Sequence, residues 1–292
     1  RSTTMTVLID SIAELREQLA QAAAEAAMNG DAGSIALVPT MGALHDGHLA
    51  LVERAQELAD IVVVSLFVNP LQFGRGEDLD QYPRTLDDDL RVLRDAGVPF
   101  LFAPSAAAMY PRGGSETRVT AGGVANTFEG RSRPGHFDGV LTVVTKLLNI
   151  VQPDVVLFGQ KDAQQAFLVG RMIENLDLPV RQEVVETVRD DDGLALSSRN
   201  RFLSDDERRA ARVIPAMLEA AESSADRGVD AVVAAAQSVA MGERLVDLDY
   251  FAVVDPDTFA GVPDDHRGPA QVLIAARVGT TRLIDNGRIL IG

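Results

Sequence analysis

His45 and His48 stand three residues apart in the stretch Ile35-Ala-Leu-Val-Pro-Thr-Met-Gly-Ala-Leu-His-Asp-Gly-His48. If both lie in the first turn of a helix they share one face. The free N–H groups and positive dipole end of that helix suit a phosphate. Two imidazoles there could hydrogen-bond a phosphate chain and stabilise charge that grows during displacement. An ordinary solvated turn fits the same residues. A zinc pair fits less well, because zinc helices usually space histidines i, i+4 and the chain has no cysteine to complete a ligand set.

Other candidates lie further along. Lys161 follows a buried apolar run and precedes a helical pattern, where an ammonium can reach the phosphates of a nucleotide. Asp162 beside it could accept from a ribose hydroxyl or cap the helix. Ser197, Ser198, Arg199 and Arg201 put two hydroxyls and two guanidiniums into five residues, a compact oxyanion binder or an exposed turn. Arg131, Arg133 and His136 could bind a carboxylate, screen a phosphate, or form a solvated basic loop. Asp87, Asp88 and Asp89 could hold Mg²⁺, though three acids at a helix start more often complement its dipole. Asn69, Gln72 and Gln165 offer uncharged hydrogen bonds, while Met41, Phe67, Phe73 and Val143 offer apolar walls. Together these suit a small branched polar acid. Gln164 either turns its amide into the site or is solvated.

The elements that must position these residues follow from pattern. Ser11-x-x-Glu14 predicts a capped helix to about Met28, with Ile12, Leu15, Leu19 and Ala22 on its apolar face and Asn29-Gly30 ending it. Ile35–Val38 reads as a buried strand that Pro39 ends. Gly42 and Gly47 allow a tight turn, and His48 opens a helical pattern. Ile61–Val68 is a β-branched run typical of a strand buried on both faces. A Gly- and Asp-rich loop then reaches Arg84. A helix is expected over Leu86–Ala96, a short strand at Phe100–Ala103, an edge strand near Thr117–Thr120 and a helix over Gly139–Val151. Strands at Val155–Phe158 and Val180–Val185 flank a helix to about Asn175.

This alternation predicts an α/β fold: a Rossmann-like doubly wound parallel sheet, with ligands beyond the carboxyl ends of its strands. The pattern changes near Asp190–Gly193, a plausible hinge. A long helix from the Ser204-x-x-Glu207 capping box to about Ala225, a helix over Val229–Gly242 and strands at Val246–Val254, Val272–Arg277 and Thr281–Ile284 predict a smaller C-terminal α+β domain. The expected division is a nucleotide-binding domain over 1–188 and a lid over 189–292.

Composition narrows the function. The chain has 292 residues, 46% of them hydrophobic, enough for a full core. Its net charge of −16 disfavours a nucleic-acid surface, which needs a basic stripe. An anionic small molecule remains compatible where a local positive cluster overrides the global field. Lys146 and Lys161 are the only lysines, so both merit attention as specific ammonium groups. No apolar stretch is long enough for a membrane span, no signal-peptide pattern is seen, and the lack of cysteine fits a cytoplasmic setting. No G-x-x-x-x-G-K-[ST], G-x-G-x-x-G after a strand, or G-x-S-x-G occurs, which disfavours P-loop ATPases, dinucleotide oxidoreductases and serine hydrolases of that fold.

His45-Asp-Gly-His48 resembles the H-x-G-H signature of nucleotidyltransferases and class I aminoacyl-tRNA synthetases. The wider set is more specific. Pro39-Thr-Met-Gly-Ala-Leu-His-Asp-Gly-His48, Phe67-Val-Asn-Pro-Leu-Gln-Phe73, Arg133-Pro-Gly-His-Phe-Asp-Gly-Val140, Phe158-Gly-Gln-Lys-Asp162 and Ser197-Ser-Arg-Asn-Arg201 resemble, in order and spacing, the pantoate–β-alanine ligases.

The resemblance implies a two-step reaction. Pantoate attacks ATP to give pantoyl adenylate and pyrophosphate, and β-alanine then displaces AMP to give pantothenate. It also implies Mg²⁺ and a cytoplasmic homodimer. By the same resemblance His45, His48, Lys161, Ser197, Ser198 and Arg199 meet the phosphates. Pro39, Thr40, Met41 and Gly42 line the ATP site, and Gly159 and Asp162 lie at the ribose. Gln72 and Gln165 bind pantoate, with Met41, Phe67, Phe73 and Val143 around it. Arg133 and His136 lie near β-alanine or the lid. Ala163 stands where the family commonly has an aromatic, Leu196 where Met is common, and Asp46 where Glu is frequent. A nucleotidyltransferase acting on a phosphate acceptor, and a nucleotide-binding protein without turnover, are the rival readings.

Overall fold

The computed structural model describes residues 5–74, 79–80, 82, 84–114 and 116–292. The Gly- and Asp-rich loop expected before Arg84 therefore lies mostly outside the described residues. By its contacts the chain divides into two compact units, 1–159 with 165–185 and 160–164 with 186–292.

The first unit is built on six parallel strands: β1 (Val7–Ile9), β2 (Ile35–Thr40), β3 (Ile61–Leu66), β4 (Phe100–Phe102), β5 (Val155–Gly159) and β6 (Arg181–Val185). Their spatial order is β1-β4-β3-β2-β5-β6. The helices between them are α1 (Ile12–Met28), α2 (Asp46–Leu58), α3 (Leu86–Asp95), the short α4 (Ala106–Met109) and α5 (Phe128–Ser132), α6 (His136–Val151) and α7 (Ala163–Asn175). This is the doubly wound parallel sheet that the alternation predicted. Strand side chains alternate between two cores. Leu37, Val63, Phe102, Val156 and Phe158 pack with α1 and α6, whereas Val38, Val62, Val64, Leu101 and Leu157 pack with Leu51, Val52 and Ala55 of α2. Full burial of each such aliphatic side chain contributes about 1.5–3 kcal/mol.

Pro39 does not end β2, which runs on to Thr40 and pairs with β3 along its whole length. The carbonyls of Ser34 and Thr40 accept from Ile61 and Phe67, on the β3 side, and that of Ile35 from Asp154, on the β5 side. Alternation therefore points the nitrogen of Pro39 toward β5. Pairing on that side stops at Leu37, so the missing N–H costs nothing.

The edge strand expected near Thr117–Thr120 is absent. That segment lies along α6 instead, where side chains take its backbone groups: Val119 N donates to Thr142 Oγ1 (3.1 Å) and Ala121 N to Asp138 Oδ1 (3.0 Å). Helix α6 begins at His136, three residues before the expected Gly139, after Gly135 in the left-handed region (φ 79°).

The second unit holds α8 (Asp205–Ala211), α9 (Val213–Glu222), α10 (Val229–Ala240) and an antiparallel sheet of β7 (Val246–Val254), β8 (Gly268–Val278) and β9 (Thr281–Ile291) in that order. It is the α+β arrangement expected, with two corrections. The single long helix breaks at Arg212, because Pro215 has no N–H for the carbonyl of Ala211. β8 and β9 are longer than their apolar runs and meet in a two-residue Gly279-Thr280 hairpin, with Gly279 at φ +57°. Within the second unit the Asp190–Gly193 turn is tied to its own neighbours: Arg208 donates to Asp190 (2.6 Å) and Asp192 (3.0 Å), and Arg189 pairs bidentately with buried Asp285 (2.6 and 2.8 Å).

Candidate active site

In the first unit, the strand order reverses between β2 and β5, since α2 leads away to β3 on the other side of β2. Ligands of such sheets bind outside the carboxyl ends at this switch point. The turn Met41–His45 leaves the end of β2. Gly42 there has φ +85°, and a Cβ would come within 3.0 Å of Asp89 and 3.2 Å of Leu66, so only glycine suits.

The two histidines cap α2. Helix α2 starts at Asp46 rather than His48, with His45 as its N-cap. Nδ1 of His45 accepts from the backbone N–H of Gly47 (3.1 Å), and Nδ1 of His48 accepts from that of His45 (3.2 Å). The pair thus acts as a capping box built from imidazoles, with ring centroids 4.1 Å apart. A ring nitrogen that accepts carries no proton, so each neutral imidazole holds its proton on Nε2. The cap selects the tautomer in which Nε2–H is a donor.

Asp89 sets the turn itself. Its buried carboxylate accepts from the backbone N–H groups of Ala43 (3.0 Å) and Leu44 (2.8 Å) and from Thr85 Oγ1 (3.1 Å). Asp88 pairs with Arg91 at the surface. These candidate Mg²⁺ ligands therefore have other partners, and among the described residues no group of three or more His, Asp or Glu side chains could hold a metal ion.

Beyond β3, Asn69 is a buried hub. It donates to Gln72 Oε1 (3.2 Å) and the carbonyl of Gly139 (3.0 Å), and accepts from Leu71 N (3.3 Å) and Tyr110 Oη (2.8 Å). The Gln72 side chain is thereby turned with its Nε2 3.1 Å from Met41 Sδ. α6 packs directly on this backbone, where a Cβ on Gly139 would lie 2.3 Å from the carbonyl oxygen of Leu71. Phe67 and Val143 belong to the adjoining core, and Phe73 meets Tyr82 edge-on at 6.1 Å. Gln72 thus meets Met41, while Phe67 and Val143 lie in one buried cluster. Gln165, in the first turn of α7, is half-buried.

His136 bonds the carbonyl of Gln72 through Nδ1 (2.8 Å), and its Nε2 lies 3.2 Å from Arg133 Nη1. A carbonyl only accepts, so Nδ1 carries the proton and Nε2 receives from the guanidinium. Burial pushes the Tyr110 hydroxyl up to about 12, with Arg118 opposing, so Tyr110 remains the donor to Asn69. Lys146, the other singled-out lysine, sits over the Tyr110 ring at 5.7 Å.

In the second unit, Lys161 and Asp162 belong to a short 3₁₀ turn (Gln160–Asp162), with Lys161 Nζ 3.4 Å from Asp162 Oδ1. Ser197 caps another 3₁₀ turn (Ser198–Phe202), accepting from Arg199 N at 3.2 Å. Asn200 ties that turn to the carbonyl of Ala195 (3.0 Å). The supporting residues Asp89, Asn69, Tyr110, Arg189 and Asp285 were not singled out for these roles from sequence. One available signal was polar Asp285-Asn286 directly after the apolar pair Leu283-Ile284 of β9.

A parallel sheet with imidazoles capping the helix at its switch point defines a Rossmann-like protein of the H-x-G-H class. Residues 7–288 match the profile of the family described as pantoate-beta-alanine ligase. The chain belongs to that family. It is 58% identical over 282 residues to a pantothenate synthetase of Leifsonia xyli, covering 95% of this chain and 98% of the relative. A pantothenate synthetase of Thermobifida fusca is 51% identical, with 89% and 91% covered. Among solved structures, the pantothenate synthetase of Thermus thermophilus superposes with a TM-score of 0.88 at 43% identity, covering 96% of this chain and 98% of that one. The pantoate-beta-alanine ligase of Francisella tularensis, solved with a β,γ-ATP ligand and β-alanine, does so at 0.77 and 32%, with 97% of each chain covered.

Proposed function

We propose that this chain condenses pantoate with β-alanine at the expense of ATP, through pantoyl adenylate. The observation that carries the reading is the α2 cap closed by the Nδ1 atoms of His45 and His48, in a chain whose family match spans residues 7–288. In the first step a pantoate carboxylate oxygen bonds to the α-phosphorus while the bond to the bridging oxygen breaks and pyrophosphate leaves. In the second, the β-alanine amine attacks the acyl carbon, AMP leaves, and the nitrogen loses a proton. The substrate supplies the nucleophile, so the protein's work is alignment and charge stabilisation.

His45, His48, Lys161, Ser197, Ser198 and Arg199 are assigned to the phosphates, and Pro39, Thr40, Met41 and Gly42 to the wall of the ATP site. Gly159 and Asp162 are assigned to the ribose, and Gln72 and Gln165 to pantoate against Met41, Phe67, Phe73 and Val143. His136, which Arg133 contacts, braces the backbone of Gln72, and both are assigned to the β-alanine side. Mg²⁺ is assigned to the ATP phosphates, since the described side chains offer it no cage; when bound it would neutralise phosphate charge. A cytoplasmic homodimer is the setting and assembly this reading implies.

The test is ATP–pyrophosphate exchange with and without pantoate, followed by AMP release on adding β-alanine. Exchange that needs pantoate, and AMP that needs both acids, support the ligase. AMP transfer to a phosphate acceptor, or no turnover, would overturn it.

A further inference from the structure

The turn that carries Lys161 has three residues and little stiffness of its own. It is held from β9. Asn286, only 4% exposed, donates from Nδ2 to the carbonyls of Gln160 (2.8 Å) and Lys161 (3.0 Å). Its Oδ1 accepts from Nε2 of Gln160 (3.0 Å) and from Nε2 of buried Gln271 on β8 (3.0 Å). Both donors and both lone pairs of this amide are thereby used. A buried, fully satisfied amide is a rigid clamp, and its loss leaves two backbone carbonyls without their donors. The main chain of Lys161 is thus set by a residue 125 positions away in sequence.

We propose that Asn286 is a positioning residue for adenylate formation: it fixes the Lys161 main chain, and so where the ammonium stands when the phosphate transfers. The inference rests on the phosphate role assigned to Lys161 above. Its logic is that a small misplacement of an aligned group costs rate, whereas pantoate binding, which does not use that group, is untouched.

The experiment is a double-mutant cycle on pantoate-dependent ATP–pyrophosphate exchange. Asn286→Ala is expected to lower kcat roughly 10- to 100-fold, with the KM for pantoate unchanged. In the Lys161→Ala background the same substitution should change kcat little, because the group it positions is gone. Losses that multiply instead would mean that Asn286 supports the fold generally, and would overturn the proposal. Lys161→Ala with wild-type exchange would defeat the phosphate role itself, and the positioning role with it.

Asn286→Asp fills the same space and keeps the acceptor, but turns an oxygen toward the two carbonyls. It should be at least as slow as Asn286→Ala. Wild-type exchange by folded Asn286→Asp would also overturn the proposal. Where truncation prevents folding, Asn286→Ser, which keeps one donor, carries the same cycle.

Discussion

At the scale of the residue, the histidines do two jobs with two different nitrogens. Nδ1 closes the helix N-terminus, and that bond dictates which nitrogen carries the proton. The two jobs can be separated. Asn places its side-chain oxygen near the position of Nδ1 but has nothing at Nε2, so His48→Asn should keep the cap and the melting temperature. Its exchange rate should nevertheless fall roughly 10²–10³-fold, the usual scale for one preorganised donor. A folded His48→Asn enzyme with unchanged rate would remove His48 from the chemistry. The opposite tautomer at His136 follows from the same reasoning, because its Nδ1 faces a carbonyl instead of an N–H.

At the scale of the element, α3 matters for the turn that precedes α2. The acids at its start looked like dipole partners or metal ligands. One of them, Asp89, points inward and binds two consecutive backbone amides of the Met41–His45 turn. Asp89→Asn would set an N–H₂ group against one of those N–H donors. The expected result is a loss of about 1–3 kcal/mol in denaturant unfolding, the cost of stranding a buried donor. A slower exchange step should accompany it, because the helix that carries His45 and His48 would lose its brace. Wild-type stability in Asp89→Asn would show that the carboxylate is not needed there. The segment Thr117–Thr120 shows how such contacts escape a pattern reading. Its composition suits a strand, but Thr142 and Asp138 of α6 satisfy its backbone before any strand can.

At the scale of the whole molecule, buried polar hubs tie stability to pH. The Tyr110 hydroxyl donates to Asn69 and is pushed by burial from 10.0 to about 12. Between those values the unfolded chain has lost the proton that the folded chain still holds. The stabilising contribution is therefore complete below pH 10 and declines as pH rises toward 12. Unfolding free energies measured across that range should fall more steeply for the wild type than for Tyr110→Phe. Parallel curves would show that Tyr110 does not carry the alkaline loss.

What the sequence determined by itself is local or periodic. The alternation of strand and helix, the capping residues at Ser11 and Ser204, the left-handed glycine at Gly42 and the five motif blocks are each written in neighbouring residues. Local sterics and hydrophobic period fix such features before the chain folds. The tertiary structure alone decided what depends on groups far apart in the chain. It carried β2 through Pro39 because pairing on one side had ended, and it committed Asp89 to a turn 45 residues away. It also fastened the Lys161 turn to β9 through Asn286. A buried donor or acceptor must find a partner wherever the packed fold offers one, and linear spacing does not encode which partner that is.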